Sequence, residues 1–127
     1  MVSPEEQVLQ EADFFLAQIG RLGVNLRAVI VNRMHREVLL HGRAPRRRTV
    51  ASILRKLGAS PELVEALVNN FEAYQALGRG DLLRVEAFQR LVPSGTALIT
   101  VPNLASDVHS LVGLETLHGY LFAEAAT

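Results

Sequence analysis

Apolar positions near the start of the chain recur at the spacing of an α-helix. They fall every three or four residues, which places them on one face: Val8, Ala12, Phe15, Ile19 and Leu22. Ahead of them, Ser3 can serve as the N-cap, Pro4 suits the first helical position, and Glu6 can complete a capping box. Gly20 and Gly23 mark the end. We therefore predict a helix over SPEEQVLQEADFFLAQIGRLG.

Two short apolar runs lack helical spacing and predict parallel strands. The first, within NLRAVIVNR, has four consecutive apolar residues at 28–31, which indicates a strand covered on both faces. The second is TALITV, which ends at Pro102 because proline cannot donate to a strand ladder. The opening MVS is typical of the last residues of a third strand. Since two strands do not make a stable doubly wound sheet, we expect the C-terminal part of a longer α/β protein.

The residues between the two strands predict a small helical insert at about 46–92. Three short helices account for it: TVASILRKLG from Thr49 to a stop at Gly58, SPELVEALVNNFEAYQALG with Ser60 as cap, and DLLRVEAFQRLV with Asp81 as cap. The preceding MHREVLLHGRAPRRR has no clear period and predicts a loop. After the second strand, SLVGLETLHGYLFAEA predicts a final helix.

Composition and charge restrict the classes of function. The chain has 127 residues with 13 basic and 13 acidic side chains, so as a whole it has no net charge to attract nucleic acid or an anionic membrane. It has no cysteine, which excludes a disulfide framework and a cysteine nucleophile. The opening MVSPEEQ lacks the apolar region of a signal peptide, and no apolar run reaches the roughly 20 residues that span a bilayer. We expect a cytoplasmic protein.

The order of these segments resembles the C-terminal half of an anion-transporting ATPase. The segments that carry the resemblance are SPEEQVLQEADFFLAQIGRLGVNLRAVIVNRM, NNFEAYQALGRGD and VPNLASDVHSLVGLETLHGYLF, and together they span essentially the whole chain. This is the family of the arsenical-pump-driving ATPase and of the ATPase that delivers tail-anchored membrane proteins. The resemblance implies a parallel P-loop-NTPase sheet flanked by helices. It also implies a homodimer with ATP at the interface and a helical subdomain that contacts a protein client.

The chain departs from that family at the phosphate-binding end. It has no G-x-x-x-x-G-K-[ST] loop, and its one lysine, Lys56, lies within ILRKLG. Since such a loop supplies most of the charge stabilisation for phosphoryl transfer, we expect no ATP hydrolysis by this chain alone and assign no catalytic residue. ATP and Mg²⁺ would be bound by the full-length protein, with the Mg²⁺ ligands in a missing N-terminal half. We expect no nucleic-acid partner and only an indirect link to membranes.

The ends of the two predicted strands hold the candidate site residues. Asn32 lies just past the first strand end, where ligands of α/β sheets bind, and its amide can both donate to and accept from an adenine edge. The resemblance assigns this role to the Asn of the N-R pair, with Arg33 alongside, and assigns the loop that packs on the adenine ring to Pro102, Asn103 and Leu104. The same resemblance places Glu5 near a dimer interface.

Simpler interpretations compete with several of these assignments. Asn32 can merely end a strand, since asparagine is common at turns, and Asp107 can cap the last helix with help from Ser110. Four side chains could be read as metal ligands: Asp107, His109, Glu115 and His118. Their spacing does not favour a metal site, so we assign no metal. His35 and His41 are expected to be exposed.

Alternatives of other functional classes also remain open. One segment contains a run of arginines: Arg43, Arg46, Arg47 and Arg48. This run could bind phosphate, nucleic acid or an acidic partner, although a solvated loop is the simpler interpretation. Phe71, Tyr74 and Phe88 could line a client groove, although core packing explains their spacing more simply. The main alternative function is a nucleotide-independent protein-interaction module, and the weaker one is a nucleic-acid binder that uses the arginines.

Overall fold

The computed structural model describes residues 1–105 and 107–122, and within them the chain folds into four helices and two strands. Their order is α1 (Glu6–Arg21), β1 (Ala28–Met34), α2 (Arg47–Lys56), α3 (Pro61–Gln89), β2 (Ala97–Pro102) and α4 (Leu111–Leu121). The chain divides into two compact units: unit 1 is Met1–Met34 with Asp81–Thr127, and unit 2 is His35–Gly80. The α/β class expected from the sequence is confirmed. The predicted insert at about 46–92 overlaps unit 2.

The two strands pair in parallel, as their apolar runs predict, with Ala28 opposite Ala97 and Val31 opposite Thr100. The opening residues form no strand, but Val2 makes a parallel bridge to Val31. Its N–H donates to the Ile30 carbonyl at 2.8 Å, and its own carbonyl accepts from the Asn32 N–H at 2.7 Å. Because successive strand residues direct their polar groups to opposite edges, Val2 lies on the edge of β1 away from β2.

This bridge explains why α1 begins later than predicted. The chain stays extended through its contact with β1, and the Pro4 carbonyl accepts from Arg84 Nε at 2.8 Å. Helical geometry begins only at Glu6, after Glu5 at the N-cap position, and no side chain makes a capping hydrogen bond there. The predicted cap at Ser3 and the predicted first helical position at Pro4 are therefore wrong.

The core of unit 1 lies on one face of β1. Val29 packs with Leu9 of α1 and Phe88 of α3, while Val31 packs with Met34 and Val85. Ala28 is exposed, so the prediction of a strand buried on both faces is wrong for the described chain. The buried face of α1 is also rotated from the predicted one. Val8, Ala12 and Ile19 of the predicted stripe are half-buried, but the buried residue is Leu9, and Phe15 and Leu22 are exposed.

The two helices predicted on either side of Gly80 form one continuous helix, α3. Asp81 is therefore not a cap. It is buried within the helix, and its Oδ1 accepts from Arg84 Nη2 at 2.6 Å. Gly78 also has a packing role, which its low helix propensity does not indicate. A Cβ built on it would lie 2.8 Å from the Glu37 backbone nitrogen, so this position needs glycine for close approach.

The core of unit 2 joins α2 to the first half of α3. Ala51 packs against Val64 and Val68. Gly58 ends α2 with a φ of +85°, and Ser60 Oγ accepts from the Leu63 N–H at 3.3 Å, so the predicted stop and cap are confirmed. Bonding to the backbone N–H of Glu62 itself, and then to Ser60, lowers the pKa of the Glu62 carboxyl.

The segment predicted as a loop forms no helix or strand between His35 and Arg46, yet it is fixed against α3; Arg47 and Arg48 belong to α2, which begins two residues before the predicted Thr49. The buried Gln75 amide donates to the Val38 carbonyl at 3.0 Å and accepts from the Val38 N–H at 2.7 Å. Arg79 forms an ion pair with Glu37 at 3.1 Å, and the rings of His35 and Tyr74 meet edge to face. His35 is half-buried rather than exposed, which corrects the expectation for that residue, and His41 is exposed as predicted.

The last helix, α4, is capped by Ser110, whose Oγ accepts from the Gly113 N–H at 3.2 Å. The alternative that Asp107 is the cap is therefore wrong. The helix ends at Leu121, and residues 123–125 of the predicted helix lie outside the described residues. In the part of the chain that the structure describes, no helix is both long and apolar enough to cross a bilayer.

Candidate functional site

A cavity of about 200 Å³ opens at the carboxyl ends of β1 and β2 in unit 1. It brings together all five residues predicted as a site, along with three from the following loop and helix. Its lining residues are Asn32, Arg33, Pro102, Asn103, Leu104, Asp107, Val108 and Leu117. Parallel strands that run in register end at the same edge of the sheet, and this is why residues so distant in sequence meet.

The end of β1 carries a local distortion that shapes this cavity. Arg33 has a φ of +61°, a left-handed conformation that is uncommon for a residue with a side chain. The register with β2 is irregular between Val31 and Met34, as in a β-bulge. The Arg33 N–H donates to Asn32 Oδ1 at 2.9 Å. The side-chain oxygen of Asn32 thereby accepts a hydrogen bond from the next residue, and the side-chain Nδ2 group can donate to a ligand.

The end of β2 is joined to the end of β1 by backbone contacts. Pro102 is the register partner of Met34, and the Asn103 N–H donates to the Met34 carbonyl at 2.9 Å. Pro102 has no N–H to give to this ladder, so the strand ends there, as predicted. These contacts fix the relative positions of Asn32 and Asn103 through main-chain bonds rather than through flexible side chains.

The lining of the cavity divides into polar and apolar residues. Asn32, Arg33, Asn103 and Asp107 supply amide and charged groups, while the apolar side chains come from the strand end, the loop and α4: Pro102, Leu104, Val108 and Leu117. A planar apolar ligand with a polar edge has complementary chemistry, because the apolar side chains can pack on its face and the amides can pair with its edge. Sequence reasoning missed Val108 and Leu117 as lining residues. The helical spacing of Leu114 and Leu117 was the available signal for an apolar face on α4.

The candidate metal ligands do not form a cluster. His109 Nε2 lies 3.8 Å from Asp107 Oδ2, and both side chains are about four-fifths exposed. The ring of His118 packs against Phe122 with a 4.7 Å centroid separation. Among residues 1–105 and 107–122, no group of three or more histidine or acidic side chains is arranged to hold a metal ion.

The remaining candidates lie outside this cavity. Glu5 is exposed beside the start of α1. Within unit 2, Arg47 does not belong to a solvated arginine run, because it bonds to Glu72 at 2.6 Å, to Asn69 at 2.9 Å, and to Glu65. The hydrogen bond to Glu72 is the largest cause of the raised pKa of Arg47. Phe88 is buried in the core of unit 1, as the packing interpretation predicted.

No protein-family model matches the chain, and no curated protein is significantly similar to it. The geometry of the cavity and the order of the sequence motifs are the features that bear on the function of the chain.

Proposed function

We propose that this chain supplies the base-binding end of a nucleotide site in an ATPase of the anion-transporting type. In this proposal Asn32 pairs with the edge of adenine, while Pro102 and Leu104 pack on the ring. The triphosphate and Mg²⁺ are held by residues outside this chain, in an N-terminal half that completes the site. The complete protein acts as a homodimer with a protein client, and this chain alone does not hydrolyse ATP.

The observation that carries the proposal is the meeting of Asn32 and Arg33 with Pro102, Asn103 and Leu104 around one cavity. About 70 residues separate the two groups in the sequence. The position at the carboxyl edge of a parallel sheet is where open α/β sheets bind ligands. The strained backbone at Arg33 adds support, because left-handed non-glycine residues concentrate at functional sites.

The phosphate-binding chemistry is the part that this chain does not provide. Phosphoryl transfer depends on a cradle of backbone amides and a lysine that neutralise developing charge. The sequence has no glycine-rich phosphate loop, and its one lysine lies in α2. We therefore expect the purified chain to bind nucleotide weakly, through the base and ribose alone, with no turnover.

The test is a titration of the chain with ATP, ADP and adenosine, followed by two-dimensional ¹H–¹⁵N NMR. We expect dissociation constants in the millimolar range, similar for the three ligands, with resonance shifts confined to the cavity residues. Asn32→Ala should weaken binding at least ten-fold, as expected when a paired polar group of a ligand loses its partner. Asn70→Ala, at an exposed position on α3 in unit 2, is the matched control. Equal affinity in Asn32→Ala, or no shifts at saturating adenosine, would contradict the proposal.

The alternative, a nucleotide-independent interaction module, has one observation in its favour. The α3 part of unit 2 exposes apolar side chains at helical spacing: Leu63, Leu67, Tyr74 and Leu77. Such a row is typical of a surface that receives a partner. If the titration shows no nucleotide binding while the fold is intact, this alternative becomes the better explanation.

A further inference from the structure

The neutral net charge of the chain conceals a separation of charge between its two units. Unit 2 contains eight arginine and lysine residues against four glutamates, whereas the rest of the chain contains five against nine acidic residues. No acidic residue occurs between Glu37 and Glu62. Unit 2 therefore presents a positive surface that the total charge of the chain does not reveal.

The positive charge on α2 is largely uncompensated. Arg47 bonds to glutamates of α3. Among the described residues, Arg48, Arg55 and Lys56 form no ion pair, and Arg48 and Arg55 are seven positions apart, so they share one face of the helix. These three cations are exposed. They are available to a negatively charged partner.

Exposed apolar side chains follow Lys56 round α2, on the side of the helix away from Arg48 and Arg55. Ile53 in α2 and Leu57, the residue directly after the helix, are four positions apart and lie on the same side, and Leu57 is 78% exposed. Gly58, with a φ of +85°, then reverses the chain toward Ser60 at the start of α3. Leu57 thus projects from a turn between two helices, directly after Lys56. We call Ile53, Arg55, Lys56 and Leu57, at the C-terminal end of α2, the basic tip.

We propose that the basic tip binds the surface of an anionic phospholipid bilayer. Apolar side chains beside basic ones are the pattern of segments that lie at the membrane interface, where the cations meet lipid phosphates and the apolar groups enter the acyl boundary. The charge is complementary to acidic headgroups. The tip carries no aromatic side chain to stack on the bases of a nucleic acid.

Co-sedimentation of the full chain with vesicles tests the proposal. We expect binding to vesicles of phosphatidylcholine with 30% phosphatidylserine, and little binding to phosphatidylcholine alone. Salt should weaken the binding, because the attraction of basic residues to the surface acts over about one Debye length. Binding that is equal on neutral and anionic vesicles, or absent from both, would overturn the proposal.

Two variants and two matched controls localise the contact. Leu57→Ser should reduce vesicle affinity about ten-fold, the scale expected when a partly inserted leucine side chain is removed. Lys56→Gln should reduce it about five-fold. The end of α1 provides the controls Leu22→Ser and Arg21→Gln, because Leu22 is 77% exposed and Gly23 follows with a φ of +67°. The end of α1 thus has the same order of cation, exposed leucine and glycine as the tip, but no second cation precedes Arg21.

The outcome separates lipid from other partners. If the controls lose as much vesicle affinity as the tip variants, the basic tip is not the membrane contact. If the chain binds polyglutamate as tightly as it binds the anionic vesicles, and Leu57→Ser leaves both unchanged, the surface is a general anion binder and the proposal fails. Circular dichroism of each variant checks that the fold is retained.

Discussion

A single backbone conformation at Arg33 determines how β1 meets the candidate site. The left-handed conformation costs a residue with a side chain roughly 1–2 kcal/mol, and here it brings the Arg33 N–H to Asn32 Oδ1. The exposed Arg33 side chain is not part of the apolar clusters that form the core of unit 1. The main chain of Arg33 thus orients the neighbouring amide, while its charged side chain belongs to the cavity lining.

Arg33→Gly tests this role of the backbone. Glycine relieves the left-handed cost but gains freedom in the unfolded chain worth about 0.5–1 kcal/mol, so we expect unchanged or slightly higher stability in urea unfolding. Arg27→Gly, at an exposed position with an ordinary φ, is the control and should lower stability by about 0.5–1 kcal/mol. Equal losses in both variants would show that Arg33 is not strained.

The Ser60 cap provides a second prediction for a single residue. Ser60→Ala removes the acceptor for the Leu63 N–H and should lower stability by about 1 kcal/mol. It should also raise the pKa of the Glu62 carboxyl toward its ordinary value, because Ser60 is one cause of the lowered value. The folded-state pKa is depressed, so this stabilisation is present above the ordinary pKa range and lost as pH falls through the depressed one.

NMR titration of the Glu62 side chain in both proteins measures this shift. Ser52→Ala, at an exposed position within α2, is the control and should leave the Glu62 pKa unchanged. A wild-type pKa for Glu62 in Ser60→Ala would mean that the backbone bond alone lowers it.

The candidate site was predictable from sequence because its residues end strands. Asn32 and Pro102 follow apolar runs whose parallel pairing places both at one edge of the sheet. The sequence predicts Asp107 as a helix cap in a polar loop that can also border the site, and in the structure it lines the same cavity. The conformation of Arg33 was not predictable, because arginine carries no preference for positive φ.

At the scale of elements, α3 shows how packing can override a local signal. Gly78 and Gly80 lower helix propensity and led to a predicted break. The helix continues because it packs against the segment after β1. Gln75 makes hydrogen bonds to the backbone of that segment, and Gly78 allows the backbone to approach closely. A close approach between segments about 40 residues apart in sequence leaves no periodic pattern, so the sequence alone could not show why glycine is needed there.

Gly78→Ala measures that close approach. The new methyl group would lie 2.8 Å from the Glu37 nitrogen and 3.0 Å from the Arg36 carbonyl carbon. The cost of overpacking, about 1–3 kcal/mol, should exceed the gain in helix propensity of about 1 kcal/mol. Gly20→Ala, in α1 with no atom within 4 Å of the new Cβ, is the control and should be neutral or stabilising. Stabilisation in both variants would contradict the packing argument.

At the scale of the whole molecule, the chain leaves much apolar surface uncovered. One cavity of about 400 Å³ in unit 1 lies between α1 and β1 next to Val2, and Phe15 lines it while remaining 63% exposed. Val2 itself is an edge position with a single bridge to β1. Exposed apolar patches and open sheet edges are both sites at which protein chains associate.

We therefore expect the chain to self-associate as its concentration rises, and Phe15→Ser should suppress the larger species. Static light scattering over a concentration series measures the change in mean mass. Phe15 is mostly exposed, so its replacement should leave the fold intact, which circular dichroism can verify. Leu83→Ser, at a 66% exposed position on α3 in unit 1, is the matched control and should associate like the wild type. A monomeric wild type at all concentrations would show that this apolar surface does not drive association.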